Sequence, residues 1–118
     1  MITGLDHLEF CVGNIDEVAE FFKKMGFTEV GRTDHHGGAV ELMMPGEQKI
    51  LFEFHYGKDT EAPGLNHIAF KVDNMEETYR AFSEKGIKFV APPKHSANRN
   101  CSMCNTRDPA HMRYQFTD

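Results

Sequence analysis

The chain repeats itself at an offset of sixty residues. The run 4–14 aligns with the run 64–74, so that His7 of the first run falls on His67 of the second. Further along, the same offset pairs Glu17 with Glu77, Phe22 with Phe82, Gly26 with Gly86 and Val30 with Val90. Such a repeat predicts two copies of one supersecondary unit, each with a histidine at the same place. Copies that pack together would bring both histidines to one cavity.

The first copy has the pattern of a βαβββ unit. Residues 5–12 alternate as a strand, and a helix follows that Asn14 would cap and Gly26 would end. The apolar stripe of this helix is predicted to be Val18, Phe21, Phe22 and Met25. Three further strands are predicted at 27–33, 38–44 and 48–56.

The second copy repeats this order after a stretch of linker composition at 56–64. Its predicted elements are strand 65–72, a helix at 75–85 capped by Asn74, and strands 87–91, 100–106 and 112–117. The polar stretch 92–100 is predicted to be a mobile loop at the rim of the cavity. These elements predict an α+β fold with two tandem units, about 1–57 and 64–118, in a single domain over 1–118.

Composition limits the classes of partner. The formal charge is −5 and the pI is near 5.8, which argues against nucleic acid because its phosphates need a basic surface. No segment approaches the roughly 20 apolar residues that cross a bilayer, and the start of the chain lacks the pattern of a signal peptide. We therefore expect a cytosolic protein without a membrane partner, whose three cysteines are reduced thiols.

The parity of the strands selects a set of polar residues. Successive strand residues point to opposite faces of a sheet, and only one face can line an internal cavity. In each of four strands the bulky apolar residues share the face that packs on the helix, which leaves the polar residues on the other face. Four of these predicted cavity residues are His7, Glu53, His67 and Gln115.

These four residues predict a metal site. A lone strand histidine is usually solvated or hydrogen-bonded, and a lone glutamate usually faces water. Here the repeat and the parity agree, which favours a shared site for one divalent ion, with Zn, Ni, Mn and Fe as candidates. Glu53 is predicted to be both a metal ligand and a catalytic residue. Gln115 would be the weaker, neutral ligand.

Other polar residues carry weaker predictions. Glu9, on the same strand face as His7, is the candidate general base, or else it holds Lys71 or Arg113 in an ion pair. His55 would orient a ligand or carry a proton, although a solvated strand end is the favoured interpretation. No function is assigned to His35, His36 and His111, which fall in predicted turns. Cys11 is interpreted as a small buried packing residue, with a thiol near the site as the alternative. Cys101 and Cys104 are interpreted as packing residues, because no second cysteine pair completes a zinc motif and their side chains would point to opposite faces of a strand.

Three segments carry a resemblance to a known family. They are Gly4-Leu5-Asp6-His7 with the Val-Gly-Asn turn after it, Leu65-Asn66-His67-Ile68-Ala69-Phe70, and the closing run from Asp108 to Phe116. Together they resemble the vicinal oxygen chelate superfamily, which includes glyoxalase I, methylmalonyl-CoA epimerase, bleomycin-binding proteins, extradiol dioxygenases and 4-hydroxyphenylpyruvate dioxygenase. The resemblance implies a cupped eight-stranded mixed sheet around a metal or ligand cavity. It also implies metal ligands on the first and last strand of each unit, which are again His7, Glu53, His67 and Gln115.

The resemblance implies a function and leaves alternatives. The implied activity is that of a divalent-metal-dependent lyase or isomerase of the glyoxalase or epimerase type, acting through a metal-stabilised enediolate on a small oxygenated substrate. A non-haem iron dioxygenase is disfavoured, because many relatives have Glu where this chain has Gln115. A metal-free antibiotic-binding protein of the bleomycin-resistance type is disfavoured by the polar cavity faces. A homodimer is expected, and the cavity would form within one chain or across that dimer.

Overall fold

The chain forms two βαβββ units in sequence. The computed structural model describes residues 1–57, 61–97 and 99–118. In this part of the chain the strands are β1 (Ile2–Cys11), β2 (Thr28–Thr33), β3 (Ala39–Met43), β4 (Leu51–His55), β5 (Gly64–Val72), β6 (Lys94–Ser96), β7 (Cys101–Arg107) and β8 (Arg113–Thr117). The helices are α1 (Ile15–Lys24) and α2 (Met75–Glu84), with a short 3-10 turn at His35–Gly37. The predicted α+β class is confirmed, and neither helix is long and apolar enough to cross a membrane within the described ranges.

The chain divides into two compact units. One comprises His7–Asn66, and the other comprises Met1–Asp6 together with His67–Asp118. Strand β1 contributes its first residues to one unit and its last residues to the other. The single domain predicted over 1–118 stays a prediction. Lys58, Asp59 and Thr60 of the predicted linker, and Asn98 of the predicted rim loop, lie outside the described residues.

The unit His7–Asn66 contains a mixed sheet in the order β2-β3-β4-β1. Strands β3 and β4 pair antiparallel, and β4 pairs parallel with β1. Helix α1 covers one face of this sheet, and the core consists of Ile15, Ala19, Val40, Leu42 and Phe54.

The predicted apolar stripe of α1 is only half correct. Val18 and Phe22 pack on the core, whereas Phe21 is 60% exposed and Met25 is 50% exposed. The buried stripe instead begins at Ile15 and continues through Ala19 to Phe22. This spacing of four and three residues follows one face of a helix, and it turns Phe21 toward solvent.

The unit made of Met1–Asp6 and His67–Asp118 has the strand order β1-β5-β8-β7-β6. Strand β5 pairs parallel with β8, and β7 pairs antiparallel with both β8 and β6. Its core consists of Val72, Met75, Cys104 and Phe116, with Phe70, Tyr79, Phe82 and Phe89 packed against them. Because β1 takes part in both strand orders, the strands form the predicted eight-stranded mixed sheet.

One predicted strand is wrong. The stretch 87–91 makes an isolated bridge between Phe89 and Thr106 instead of a strand. The strand of this repeat lies later, at Lys94–Ser96, within the stretch predicted to be a loop. It pairs with β7 at the edge of the sheet. An edge strand is hydrogen-bonded to a neighbouring strand on one side only, and polar, exposed side chains are tolerated there.

The two helix starts differ, and this difference predicts unequal stability effects. The Asn74 side chain accepts a hydrogen bond of 3.0 Å from the Glu77 backbone N–H. Asn14 makes no such cap, contrary to prediction, and donates to the Glu17 carboxylate instead. We expect Asn74→Ala to lower the free energy of unfolding by about 0.5–2 kcal/mol, and Asn14→Ala to change it by a few tenths at most. Urea denaturation of both variants measures this, and equal losses would contradict the assignment.

Candidate metal and proton-transfer site

The inner face of the unit His7–Asn66 is lined by buried polar residues of β1 and β4. The parallel register places Glu9 beside Glu53, and Cys11 beside His55. The exposed fractions are 1% for His7, 4% for Glu9, 5% for Cys11, and 0% for both Glu53 and His55. The sequence parity correctly assigned these residues to one face.

Glu9 and Glu53 form a buried acidic pair. Neighbouring strands lie about 4.8 Å apart, so two carboxylates at paired positions repel each other unless positive charge compensates them. Possible ligand atoms of Glu9, Glu53 and His35 all lie within 4.8 Å of one another. Carboxylate and imidazole are ligands that first-row divalent ions accept. Positive charge at this face, such as that of a bound divalent cation, would offset the repulsion between the two carboxylates.

Two histidines contact Glu9. His55 Nε2 lies 3.4 Å from Glu9 Oε2, and His35 Nε2 lies 3.9 Å from Glu9 Oε1. The ring of His36 also lies against that of His55, with 4.7 Å between centroids. Glu9 is thus flanked by imidazoles, the side chains whose unperturbed pKa lies nearest neutral pH.

His35 and His36 are functional candidates that the sequence interpretation missed. They lie in the 3-10 turn before β3, and His36 has a positive φ of 50°. The antiparallel register of β3 and β4 pairs Ala39 with His55, which brings the turn to the end of β4. The sequence contained one signal of this contact, the predicted order turn, β3, turn, β4. In an antiparallel hairpin the residues before the first strand lie next to the end of the second strand.

The prediction that His55 lies at a solvated strand end is wrong. The side chain is fully buried because β4 lies between β3 and β1 and the His35–Gly37 turn covers its end. Burial, and to a lesser degree the neighbouring His36, lower the pKa of His55, while Glu61 and Glu53 oppose this shift. The lowered pKa favours the neutral imidazole, whose unprotonated nitrogen can bind a cation.

The second unit buries the equivalent residues. His67 is 2% exposed on β5 and Gln115 is 6% exposed on β8. The register pairs His67 with Arg113 and Ala69 with Gln115. Gln115 therefore lies two residues further along β8 than the residue opposite His67. Gln115 Nε2 donates to Asn105 Oδ1 at 3.4 Å. Because the amide nitrogen is directed to β7, the carbonyl oxygen, which is the atom that binds metals, is left for another partner.

Arg113 and Cys104, which also entered the sequence interpretation, both have partners in this unit. Arg113 Nε donates to Asn105 Oδ1 at 3.2 Å. Cys104 is buried with its thiol 3.6 Å from Met75 Sδ, and burial raises its pKa to about 11. The interpretation of Cys104 as a packing residue is thus confirmed by its place in the core.

A family model and several known proteins match the chain. The model described as the Glyoxalase/Bleomycin resistance protein/Dioxygenase superfamily matches residues 4–116. Among curated proteins, the 4-hydroxyphenylpyruvate dioxygenase of Yarrowia lipolytica is 27% identical over 108 residues, covering 77% of this chain and 27% of that protein. The chain thus spans about a quarter of the length of this relative.

Solved structures of similar fold include methylmalonyl-CoA epimerases. The enzyme from Mycobacterium tuberculosis has a TM-score of 0.78 at 20% identity, covering 98% of this chain and 87% of that chain. A variant of the Streptomyces coelicolor epimerase in complex with 2-nitronate-propionyl-CoA has a TM-score of 0.77 at 14% identity, covering 99% and 97% of the two chains. At these identities the likeness is one of fold.

Proposed function

The chain belongs to the Glyoxalase/Bleomycin resistance protein/Dioxygenase superfamily, and from this premise we propose that it is a divalent-metal-dependent lyase or isomerase of the glyoxalase or epimerase type. Its substrate would be a small molecule with two neighbouring oxygens and a removable proton on the adjacent carbon. The observation that carries the proposal is the buried acidic pair of Glu9 and Glu53 with imidazoles around it.

We assign the ion to His7, Glu53, His67 and Gln115. All four are buried strand residues, and His7 and His67 are equivalent in the repeat. The set contains two neutral imidazoles, one carboxylate and one amide, so a divalent ion would keep a positive charge. Such an ion would polarise two substrate oxygens and make the adjacent carbon more acidic. Zn, Ni, Mn and Fe all accept these ligands.

Glu9 is proposed as the general base. Its carboxylate would take the proton from the substrate carbon at Oε1 or Oε2 and return it to the same carbon or to a neighbouring one. His55 and His35 would hold the carboxylate in position, since each has a ring nitrogen within 4 Å of it. Burial keeps bulk water away from Glu9, which favours transfer of the proton back to the substrate.

A dioxygenase is the second candidate, and the similarity to 4-hydroxyphenylpyruvate dioxygenase supports it. The chain spans only part of that relative, and Gln115 stands where a dioxygenase of the family would have its ligating carboxylate. These two facts favour the lyase or isomerase. The homodimer and the cytosolic location stay predictions from the sequence.

Proton exchange tests the proposed function. Protein loaded in turn with Zn, Ni, Mn and Fe(II) is incubated in D2O with methylmalonyl-CoA and with a panel of 2-oxo acids and 2-hydroxy ketones. We expect at least one compound to gain deuterium at the carbon next to its carbonyl, in a reaction that EDTA stops and metal restores. Oxygen consumption with 4-hydroxyphenylpyruvate, in the absence of such exchange, would favour the dioxygenase. Tight binding of a compound without exchange or oxygen uptake would favour a binding protein.

A further inference from the structure

A second cluster of ligand atoms lies where β1 and β4 end. Cys11 is the last residue of β1 and His55 is the last residue of β4, and the parallel register pairs them. Glu61 completes the cluster, and possible ligand atoms of the three residues lie within 4.8 Å of one another. We propose that Cys11, His55 and Glu61 form a separate site for a thiophilic divalent cation such as Zn²⁺.

The burial of His55 indicates that a ligand binds to it. The ring is fully buried, and neither nitrogen makes a hydrogen bond within the described part of the chain. A buried imidazole without hydrogen bonds costs free energy that a partner would recover. A metal ion beside Cys11 and Glu61 would provide that partner for one nitrogen, while Nε2 lies 3.4 Å from Glu9 Oε2.

Gly57 makes the approach of the other two residues possible. It has a φ of +81°, and a Cβ at this position would overlap Cys11 Sγ and lie 2.9 Å from Glu61 Oε2. The backbone therefore leaves space that the thiol and the carboxylate share. A residue with a side chain would be excluded both by this overlap and by the positive φ.

The charges and sizes suit a zinc-like ion. Zinc binds sulfur at about 2.3 Å and imidazole nitrogen at about 2.0–2.1 Å, so the ligand atoms of a tetrahedral ion lie roughly 3.5 Å apart. The three atoms here lie within 4.8 Å of one another, and binding would draw them together. The Cys11 thiol donates to the Tyr56 carbonyl at 3.3 Å. Binding would release the thiol proton to water. The resulting thiolate, carboxylate and neutral imidazole balance a divalent charge, and the fourth position of a tetrahedral ion would stay open.

Cobalt substitution tests this site independently of the proposed enzyme. Co²⁺ is titrated into the metal-free, reduced protein, because a thiolate ligand gives an intense near-ultraviolet charge-transfer band that nitrogen and oxygen ligands do not give. We expect the band in the wild type, its disappearance on addition of Zn²⁺, and its loss in Cys11→Ser. Glu61→Gln, at a partly exposed position, should weaken Co²⁺ binding at least roughly tenfold.

Two controls separate the possible outcomes. Cys101→Ser should keep the band, and His7→Ala with His67→Ala should keep it as well, because their site contains no sulfur. Circular dichroism of Cys11→Ser shows whether that variant is folded, and Glu61→Gln supplies the test if it is not. Absence of the band in the wild type would overturn the proposal, as would its persistence in folded Cys11→Ser or an unchanged affinity in Glu61→Gln.

Discussion

Replacing Glu9 by glutamine is expected to slow proton exchange by roughly 10²–10⁴-fold, which is the usual contribution of a general base. Glutamine has almost the same shape as glutamate but cannot take the proton. Because Glu9 is not among the assigned ligands, the metal content of Glu9→Gln should equal that of the wild type. The measurement is the rate of deuterium incorporation into the substrate identified in the exchange screen, at saturating metal and substrate.

Glu20→Gln provides the matched control for this variant. Glu20 lies on α1, where its side chain is 69% exposed and pairs only with a surface lysine among its described contacts. Its substitution should leave the exchange rate unchanged. A rate for Glu9→Gln within threefold of the wild type would exclude Glu9 as the base. Loss of metal from Glu9→Gln would instead identify Glu9 as a ligand and contradict its assignment as the base.

His7→Ala and His67→Ala are each expected to remove about half or more of the stabilisation that the metal provides. A ligand that binds only the folded state, present at about 100 times its Kd, raises the free energy of unfolding by about 2.7 kcal/mol. At the same metal concentration, a tenfold weaker affinity would leave about 1.4 kcal/mol of this gain, and a 100-fold weaker affinity would leave about 0.4 kcal/mol. Both imidazoles are assigned as direct ligands of one ion. Loss of a residue that only supports a ligand already lowers metal affinity roughly 10–100-fold, so loss of either histidine should lower it by at least that much.

Denaturation with and without added metal measures this effect. His95→Ala is the control, because His95 is exposed on the edge strand β6, and its metal-dependent stabilisation should match that of the wild type. The loss should be similar for His7 and His67, since the repeat makes them equivalent. A full metal-dependent gain in either alanine variant would show that the affected histidine is not a ligand.

Strand parity could be predicted from the sequence because it depends on local pattern alone. The alternation in β1 placed His7 and Glu9 on one face, and the structure buries both. The repeat added a second constraint, since it fixed the element order of both units from one alignment. Gly26 and Gly86 end their helices with positive φ values of 96° and 93°, as their equivalent positions predicted.

The surroundings of Glu9 could not be predicted in the same way. His35 and His36 reach Glu9 and His55 through the register of β3 and β4, and register depends on pairing between strands that are distant in sequence. Two histidines in a turn carry no local signal of that contact. For the same reason His55 was interpreted as a solvated strand end, although its neighbours bury it fully.

The misplaced strand has a different cause. Ile87 and Phe89 alternate with polar residues, which is the local pattern of a strand. The backbone there forms one bridge, to Thr106, and the Thr106 hydroxyl also donates to the Lys88 carbonyl at 2.7 Å. Strand β6 follows a pair of prolines, which signal a loop. An edge strand with polar side chains is held by backbone pairing, and composition does not reveal it.

The most direct test of the metal site is elemental analysis of the protein purified without chelator and without a nickel-affinity step. The wild type should contain one equivalent of a divalent metal more than the His7→Ala, His67→Ala double variant. Any metal at the Cys11 site would be common to both proteins and cancel in this difference. Equal metal contents, with no difference after both proteins are titrated with Zn, Ni, Mn and Fe(II), would contradict the proposed metal-dependent enzyme.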